Sequence, residues 1–129
     1  MAQPTEHWKA NPEEHDFLAA ADYLELLLPG EDVSRVVAAL KKAETVQKKA
    51  KDLSRACRLP LLPADNSHVA QDLNKVKKGA RLSPVLLVRG QLGSNVALTI
   101  ADGYHRICAS YLINEDADIP CRLIDAPRS

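Results

Sequence analysis

The stretch TIADGYHRICA (residues 99–109) joins an apolar, β-branched run to a helical one through an Asp-Gly pair. This pattern predicts a strand over Val96–Ala101, a tight turn at Gly103 and a helix over Tyr104–Ile113. The first backbone N–H groups of such a helix have no partner within it, and the helix dipole is positive at that end. A strand, a glycine turn and a helix in this order are therefore typical of a phosphate-binding site.

The side chains of this turn suit the same chemistry. Arg106 offers a forked donor with a permanent charge, and His105 a second donor whose charge depends on pH. Gly103 permits a close approach of the backbone. Asp102 has two interpretations: it caps the helix, or it acts with His105 as a catalytic group and binds Mg²⁺. A capping carboxylate would compete with phosphate for the same amides.

Short apolar runs rich in β-branched residues surround the turn and predict a small mixed β-sheet with flanking helices, which is an α+β fold. A short amphipathic helix is predicted over Val69–Lys78, closed by Gly79, and a hairpin loop over Gly90–Asn95. We therefore expect an α/β domain over residues 59–129. Its predicted strands are Leu59–Leu62, Val85–Arg89, Val96–Ala101 and Ile119–Ile124.

The first 58 residues have helical periodicity and predict an N-terminal hairpin of two helices ahead of that domain. Asn11 is placed to cap the first helix, and Pro29-Gly30 to end it. Asp32 is placed to cap a second helix whose apolar stripe continues to Leu53. The apolar stripes of these two helices must pack against other apolar surface, either in the rest of the chain or in a second copy in a homodimer.

Composition narrows the class of protein. The 129 residues are 46% hydrophobic and 26% charged, which predicts a globular, cytoplasmic protein. No apolar stretch approaches the roughly 20 residues of a membrane-spanning helix, so no membrane partner is expected. The three cysteines are odd in number and lack CxxC spacing, which predicts buried free thiols. A formal net charge of zero argues against a chain that coats nucleic acid by bulk electrostatics.

Charge is nevertheless segregated along the chain. Residues 1–31 carry one lysine against seven acids, and residues 32–58 carry eight basic residues against three acids. On the predicted second helix, Lys41–Lys51 forms a lysine-rich face. That face suggests a non-catalytic regulator or adaptor that binds DNA or protein, although the acidic first helix could neutralise it.

The strand, the Asp-Gly-x-His-Arg turn, the following helix and the closing strand together resemble the ParB/sulfiredoxin superfamily. The resemblance extends upstream, where PADN (residues 63–66) precedes a helix and LSPVLLV (residues 82–88) is similar to a family strand. It covers residues 59–124, just over half of the chain. It implies that the turn from Asp102 to Arg106, Tyr104 included, binds the phosphates of ATP, ADP or CTP.

Members of this superfamily catalyse different reactions, so the resemblance does not choose one. Sulfiredoxins place a catalytic cysteine just before the His-Arg pair, where this chain has Tyr104. ParB proteins carry an arginine-rich turn, whereas Arg106 is the one arginine in this turn. The kinase-like members share the acidic residue before glycine and the His-Arg pair, and they are the variant most similar to Asp102–Arg106.

The first functional hypothesis is therefore a nucleotide-binding protein that acts as a phosphotransferase or nucleotide hydrolase, with Mg²⁺ as a further cofactor. Asp65, Asn66 and His68, in the loop after the first predicted strand, are further candidates for nucleotide binding. Their alternative role is a helix cap before Val69. Because Arg106 lies in the first turn of a helix, we expect Arg106→Ala to weaken nucleotide binding and to leave the fold largely intact.

Overall fold

The computed structural model describes residues 7–127 and has an α+β fold, as the sequence predicts. The outer ends of the predicted segments 1–58 and 59–129 lie outside the described residues. The helices are α1 (Glu14–Leu24), α2 (Gly30–Lys42), α3 (Ala50–Cys57), α4 (Ser67–Lys77) and α5 (Tyr104–Ile113). The strands are β1 (Val46–Lys49), β2 (Val85–Val88), β3 (Thr99–Asp102) and β4 (Asp118–Ile124).

The four strands form one mixed sheet in the order β1-β4-β2-β3. The inner strands β2 and β4 run parallel, with Val85 opposite Cys121. Each edge strand is antiparallel to its neighbour. All four residues of β2 are buried, as expected of a strand that is covered on both faces. This burial explains why β2 reads as a continuous apolar run in the sequence.

Helices cover both faces of the sheet. Leu86 and Val88 of β2 pack with α1 and α2 in one core cluster. Val85 and Leu87 belong to a second cluster, formed with α3 and α5, and α4 packs on α5. The chain's own sheet therefore covers the apolar stripes of the N-terminal helices, which is the first of the two alternatives for their partner. A homodimer through these helices stays a prediction.

The prediction of one long second helix from Asp32 past Leu53 is wrong. Helix α2 ends at Lys42, and Ala43 is extended, with φ −65° and ψ 147°. Residues 46–49 form β1, whose backbone pairs with Asp118–Cys121 of β4. The apolar stripe continues in the sequence because Leu53 reaches the core from α3, a separate helix. Segment 1–58 thus contributes a strand to the sheet as well as helices.

The basic helix Lys41–Lys51 therefore does not exist as one helix. Its lysines are divided among the end of α2, strand β1 and the start of α3. Several are paired with acids: Lys41 lies 3.4 Å from Glu14, and Lys51 lies 2.6 Å from Asp116. The lysine face on which the DNA- or protein-binding alternative rests is thus not present as predicted.

Three local predictions in the N-terminal half are also corrected. Asn11 does not cap α1, because the cap residue is Glu13, which forms a reciprocal capping box with Asp16. The Asn11 side chain instead accepts a hydrogen bond from Arg122 of β4 at 3.1 Å. Gly30 begins α2 rather than ending α1, and Asp32 lies within the first turn of α2.

The second half of the chain follows the sequence more closely. The predicted strand Leu59–Leu62 has no regular secondary structure, and the place beside β4 is taken by β1. The other three strands and α4 are confirmed to within a few residues, and α5 has the predicted bounds. Gly90–Asn95 is a loop closed by a Gln91–Val96 bridge, as predicted.

Two predictions from composition concern the cysteines and membrane-spanning helices. The three cysteines, Cys57, Cys108 and Cys121, are free and buried, as expected. Among residues 7–127, no helix combines the length and the apolar character that crossing a membrane requires.

Candidate functional site

The turn between β3 and α5 is built around Gly103. This residue occupies the N-cap position of α5 with φ 113° and ψ 14°, a backbone conformation that residues other than glycine rarely adopt. A Cβ atom added there would lie 2.4 Å from Cγ1 of Val85 in the neighbouring strand. Glycine is therefore required both by the backbone conformation and by the close packing of the turn on β2.

Asp102 does not cap α5. No side chain in the described part of the protein bonds to the amides that begin this helix. Instead, Oδ2 of Asp102 accepts a hydrogen bond from Nη2 of Arg106 at 2.8 Å. The capping interpretation of Asp102 is thus wrong, and the amino end of α5 keeps its backbone donors open.

Arg106 is the most constrained side chain of the turn. Besides Asp102, its Nη2 donates to the carbonyl of Pro84 at 3.3 Å, and its Nη1 lies 3.9 Å from Oδ1 of Asp16. Only 16% of the side chain is exposed, and Nε is buried without a hydrogen-bond partner among the described residues. The guanidinium therefore connects β3, α1 and the segment that leads into β2.

Asp16 is a site residue that the sequence did not identify. Its carboxylate is buried, with 3% of the side chain exposed, and its Oδ2 accepts from the backbone N–H of Glu13 at 2.8 Å. Burial raises the pKa of the Asp102 carboxyl; Arg106 opposes this increase, and the nearby Asp16 adds to it. Two acids thus share one arginine beneath the turn.

A polar cleft of about 230 Å³ opens between α4 and α5 above this group. It brings His68 together with four predicted residues of the turn, Asp102, Gly103, His105 and Arg106, as the nucleotide hypothesis requires. The imidazole rings of His68 and His105 lie 4.7 Å apart between centroids. The lining residues are His68, Gln71, Asp72, Lys75, Asp102, Gly103, His105 and Arg106.

The remaining predicted residues, Asp65, Asn66 and Tyr104, do not line the cleft. Asn66 caps α4, and its Oδ1 accepts from the amides of His68 and Val69 at 3.1 and 3.2 Å, which confirms the capping alternative. Asp65 is exposed and does not line the cleft. The Tyr104 hydroxyl donates to the carbonyl of Pro60, away from the cleft, so only the backbone of Tyr104 is available at the helix end.

Helix α4 supplies three cleft residues that sequence reasoning missed: Gln71, Asp72 and Lys75. They follow His68 at intervals of three, four and seven residues, so the four share one face of a helix. This spacing is visible in the sequence, but only contact with α5 shows that the face borders the turn.

The titratable groups of the cleft influence one another. Burial raises the pKa of Asp72, while Arg106 and Lys75 oppose the increase. Burial lowers the pKa of His105, and the neighbouring His68 lowers it further. Near neutral pH, His105 is therefore an uncharged imidazole that can donate one hydrogen bond and accept another.

Comparison with protein-family models, curated proteins and solved structures finds no match. The ParB/sulfiredoxin resemblance therefore stays a prediction that rests on the residues quoted above.

Proposed function

We propose that the cleft between α4 and α5 binds the phosphate groups of a nucleotide, with ATP, ADP and CTP as the candidates. The observation that carries the proposal is the convergence of His68, Lys75, His105 and Arg106 on the uncapped amino end of α5. Backbone amides and the positive end of the dipole suit an anion. Side-chain donors from two helices would fix its orientation.

The acids of the cleft set a condition on this proposal. Asp72 and Asp102 repel an anion when both are ionised, and only Lys75 and Arg106 carry permanent positive charge there. A bound phosphate therefore favours uptake of protons by the two acids or by His105. Burial already raises the pKa of both carboxyls, so this uptake is easier than it would be in water.

Phosphotransfer or nucleotide hydrolysis is the reaction proposed for this site. His105, uncharged near neutral pH, is suited to accept a proton from an attacking hydroxyl or water. Asp102 orients Arg106, whose charge would stabilise the transferred phosphoryl group.

Mg²⁺ binding would need oxygens from the nucleotide. Within residues 7–127, no group of three or more His, Cys, Asp or Glu side chains is placed to hold a metal ion. Asp102, the predicted ligand, is already bonded to Arg106. Asp102 could therefore contribute at most a minor share of the coordination, with phosphate oxygens and water completing it.

The proposal is tested by calorimetric titration of the protein with ATP, ADP and CTP, each with and without magnesium. Release of inorganic phosphate, or its transfer to an added acceptor, then measures turnover. We expect saturable binding of at least one nucleotide. If none binds at millimolar concentration, the cleft is not a nucleotide site.

Lys75→Ala is expected to weaken nucleotide affinity about tenfold, because it removes one charge-assisted contact worth roughly 1.5 kcal/mol. Lys75 is exposed, so the fold should not change. Lys77→Ala is the matched control, since Lys77 lies on the same helix but borders a different cavity. Calorimetry on both variants checks the result, and equal losses would contradict a direct role for Lys75.

Anion affinity should increase as the pH falls from about 7 to about 4.5. In this direction Asp72 and Asp102, whose pKa values burial raises above the ordinary carboxyl value, lose negative charge, and His105, whose pKa burial lowers, gains positive charge. Sulfate is the suitable probe because its own charge is constant in this range. Chemical-shift titration at Gly103 and His105 measures the affinity; a pH-independent value would place the anion elsewhere.

A further inference from the structure

A second cavity lies at the opposite end of the sheet from the cleft. It has a volume of about 420 Å³ and borders the carboxyl end of β2 and the segment that leads into β3. Because these two strands are antiparallel, it is separated from the turn at Gly103 by the length of β3. Its floor is formed by Leu53, Leu87, Leu98 and Leu123.

This apolar floor is continuous with the protein core. Leu53 and Leu87 belong to the cluster between the sheet and helices α3 and α5, and Leu98 and Leu123 pack against it while staying partly exposed. Helix α3 is only eight residues long and ends at Cys57, so the core opens to solvent beyond it. At the mouth, Leu92 is 91% exposed. The cavity thus presents apolar surface that the described residues leave uncovered.

The rim of this cavity is basic. Four lining residues are cationic, namely Lys48, Arg55, Arg58 and Arg89, whereas Asp52 is the one acid among the lining residues. Arg55 is paired with Asp52, and Arg89 with Asp125, each at 2.8 Å.

Arg58 differs from these two paired arginines. Its Nη1 donates to the neutral amide oxygen of Asn95 at 2.7 Å. The rim therefore carries an excess of positive charge, with Arg58 bonded to an uncharged partner that an anion could replace.

We propose that this cavity binds an amphiphilic anion, with an unbranched alkyl chain on the leucine floor and a carboxylate head at Arg58. The volume lies within the range of small-molecule sites, and an apolar floor with a few charged groups at its edge is typical of them. Burial of the chain supplies affinity, and the basic rim selects the charge of the head. This site is independent of the cleft at Gly103.

The test is a titration of the isotope-labelled full chain, followed by NMR, with decanoate below its micellar concentration. Decanol and decyltrimethylammonium are matched probes with the same chain and a neutral or cationic head. We expect saturable shifts at Leu87, Leu98 and Leu123 with decanoate, little change at His105, and much weaker binding of the cationic probe. Each pair of methylenes removed from the chain should weaken binding roughly tenfold.

Two variants locate the ligand. Ala56→Trp, at an exposed position that lines the cavity, should fill it and abolish decanoate binding. Arg58→Asn should weaken binding about tenfold, and asparagine tolerates the left-handed conformation of this residue, φ 57°. Arg35→Gln, which removes an exposed charge on α2, is the control. Melting temperatures confirm that each variant is folded, and Lys48→Gln replaces Arg58→Asn if the latter is not.

Several outcomes would overturn the proposal. Absence of saturable decanoate shifts, equal binding of the anionic and cationic probes, or undiminished binding by the folded Ala56→Trp variant would each do so. Binding of an acidic, leucine-rich peptide at these residues without decanoate binding would instead identify a peptide groove and reject the small amphiphile.

Discussion

Replacement of Arg106 by alanine is expected to lower the free energy of unfolding by about 3–5 kcal/mol, the usual effect of removing one partner from a buried ion pair. The side chain is largely buried between Asp102 and Asp16. Its loss leaves both carboxylates in a low-dielectric region without a compensating charge. These contacts lead us to expect a larger effect on stability than the helix position alone predicts.

Urea unfolding at several pH values checks this prediction. Burial raises the pKa of Asp102, so its ionisation destabilises the folded state as the pH rises through that pKa. Without Arg106 the pKa of Asp102 rises further. The variant should therefore lose most stability relative to the unsubstituted protein at neutral pH, and less in acid. Arg35→Ala, at an exposed pair with Asp32, should change stability by no more than about 0.5 kcal/mol. If Arg106→Ala changed the free energy of unfolding by as little as Arg35→Ala does, Arg106 would not hold α1 to β3.

This result also affects the interpretation of binding experiments. A loss of nucleotide affinity in Arg106→Ala could come from a disrupted turn rather than from a lost phosphate contact. Lys75 and His105 are less constrained, so their variants report on the cleft more directly. Arg106 therefore has a structural role that is evident in the fold, beside its proposed role toward phosphate.

Helix α5 and strand β2 could be predicted because their signals are local. The Asp-Gly pair before Tyr104 marks the helix start, and the unbroken apolar run of β2 indicates a strand buried on both faces. Neither inference needs knowledge of distant residues. This is why the predicted bounds of α5 match the structure.

The region from Ala43 to Leu53 could not be predicted in the same way. Leu40 and Leu53 continue one helical stripe in the sequence, yet they contact opposite faces of the sheet. What interrupts the helix is the pairing of β1 with β4, whose residues lie 69 to 75 positions later in the chain. Periodicity along a single segment carries no information on such a long-range strand partner.

The cleft was predicted in part for a similar reason. His105 and Arg106 adjoin the turn in the sequence, and so their presence at the site follows from local structure. Lys75 reaches it only through the packing of α4 on α5, and Asp16 reaches the Arg106 guanidinium beneath it only through the packing of α1 on β3. The local half of the site was thus predictable, and the half that determines its charge was not.

Gly103→Ala is the second substitution for which we expect a large effect, a loss of about 2–5 kcal/mol in the free energy of unfolding. Two causes contribute to this loss. The first is backbone strain, since a residue with a side chain is strained at φ 113°. The second is collision, since the new Cβ would lie 2.4 Å from Cγ1 of Val85 and 3.0 Å from Nη2 of Arg106. Val85 is fully buried in β2 and cannot move aside without disturbing the core.

The matched control for this prediction is Gly79→Ala, because Gly79 also has a positive φ, 81°, but has no atom within 4 Å of the added Cβ. The free energy of unfolding of Gly79→Ala should fall by about 1–2 kcal/mol, from backbone strain alone. Urea unfolding of both variants therefore separates strain from collision: the excess loss at Gly103 measures how tightly the turn is packed on Val85 and Arg106. Similar losses in the two variants would mean that the turn can shift away from β2. In that case the amino end of α5 would not be held rigidly, and the cleft would lack the fixed backbone donors that the proposed phosphate site requires.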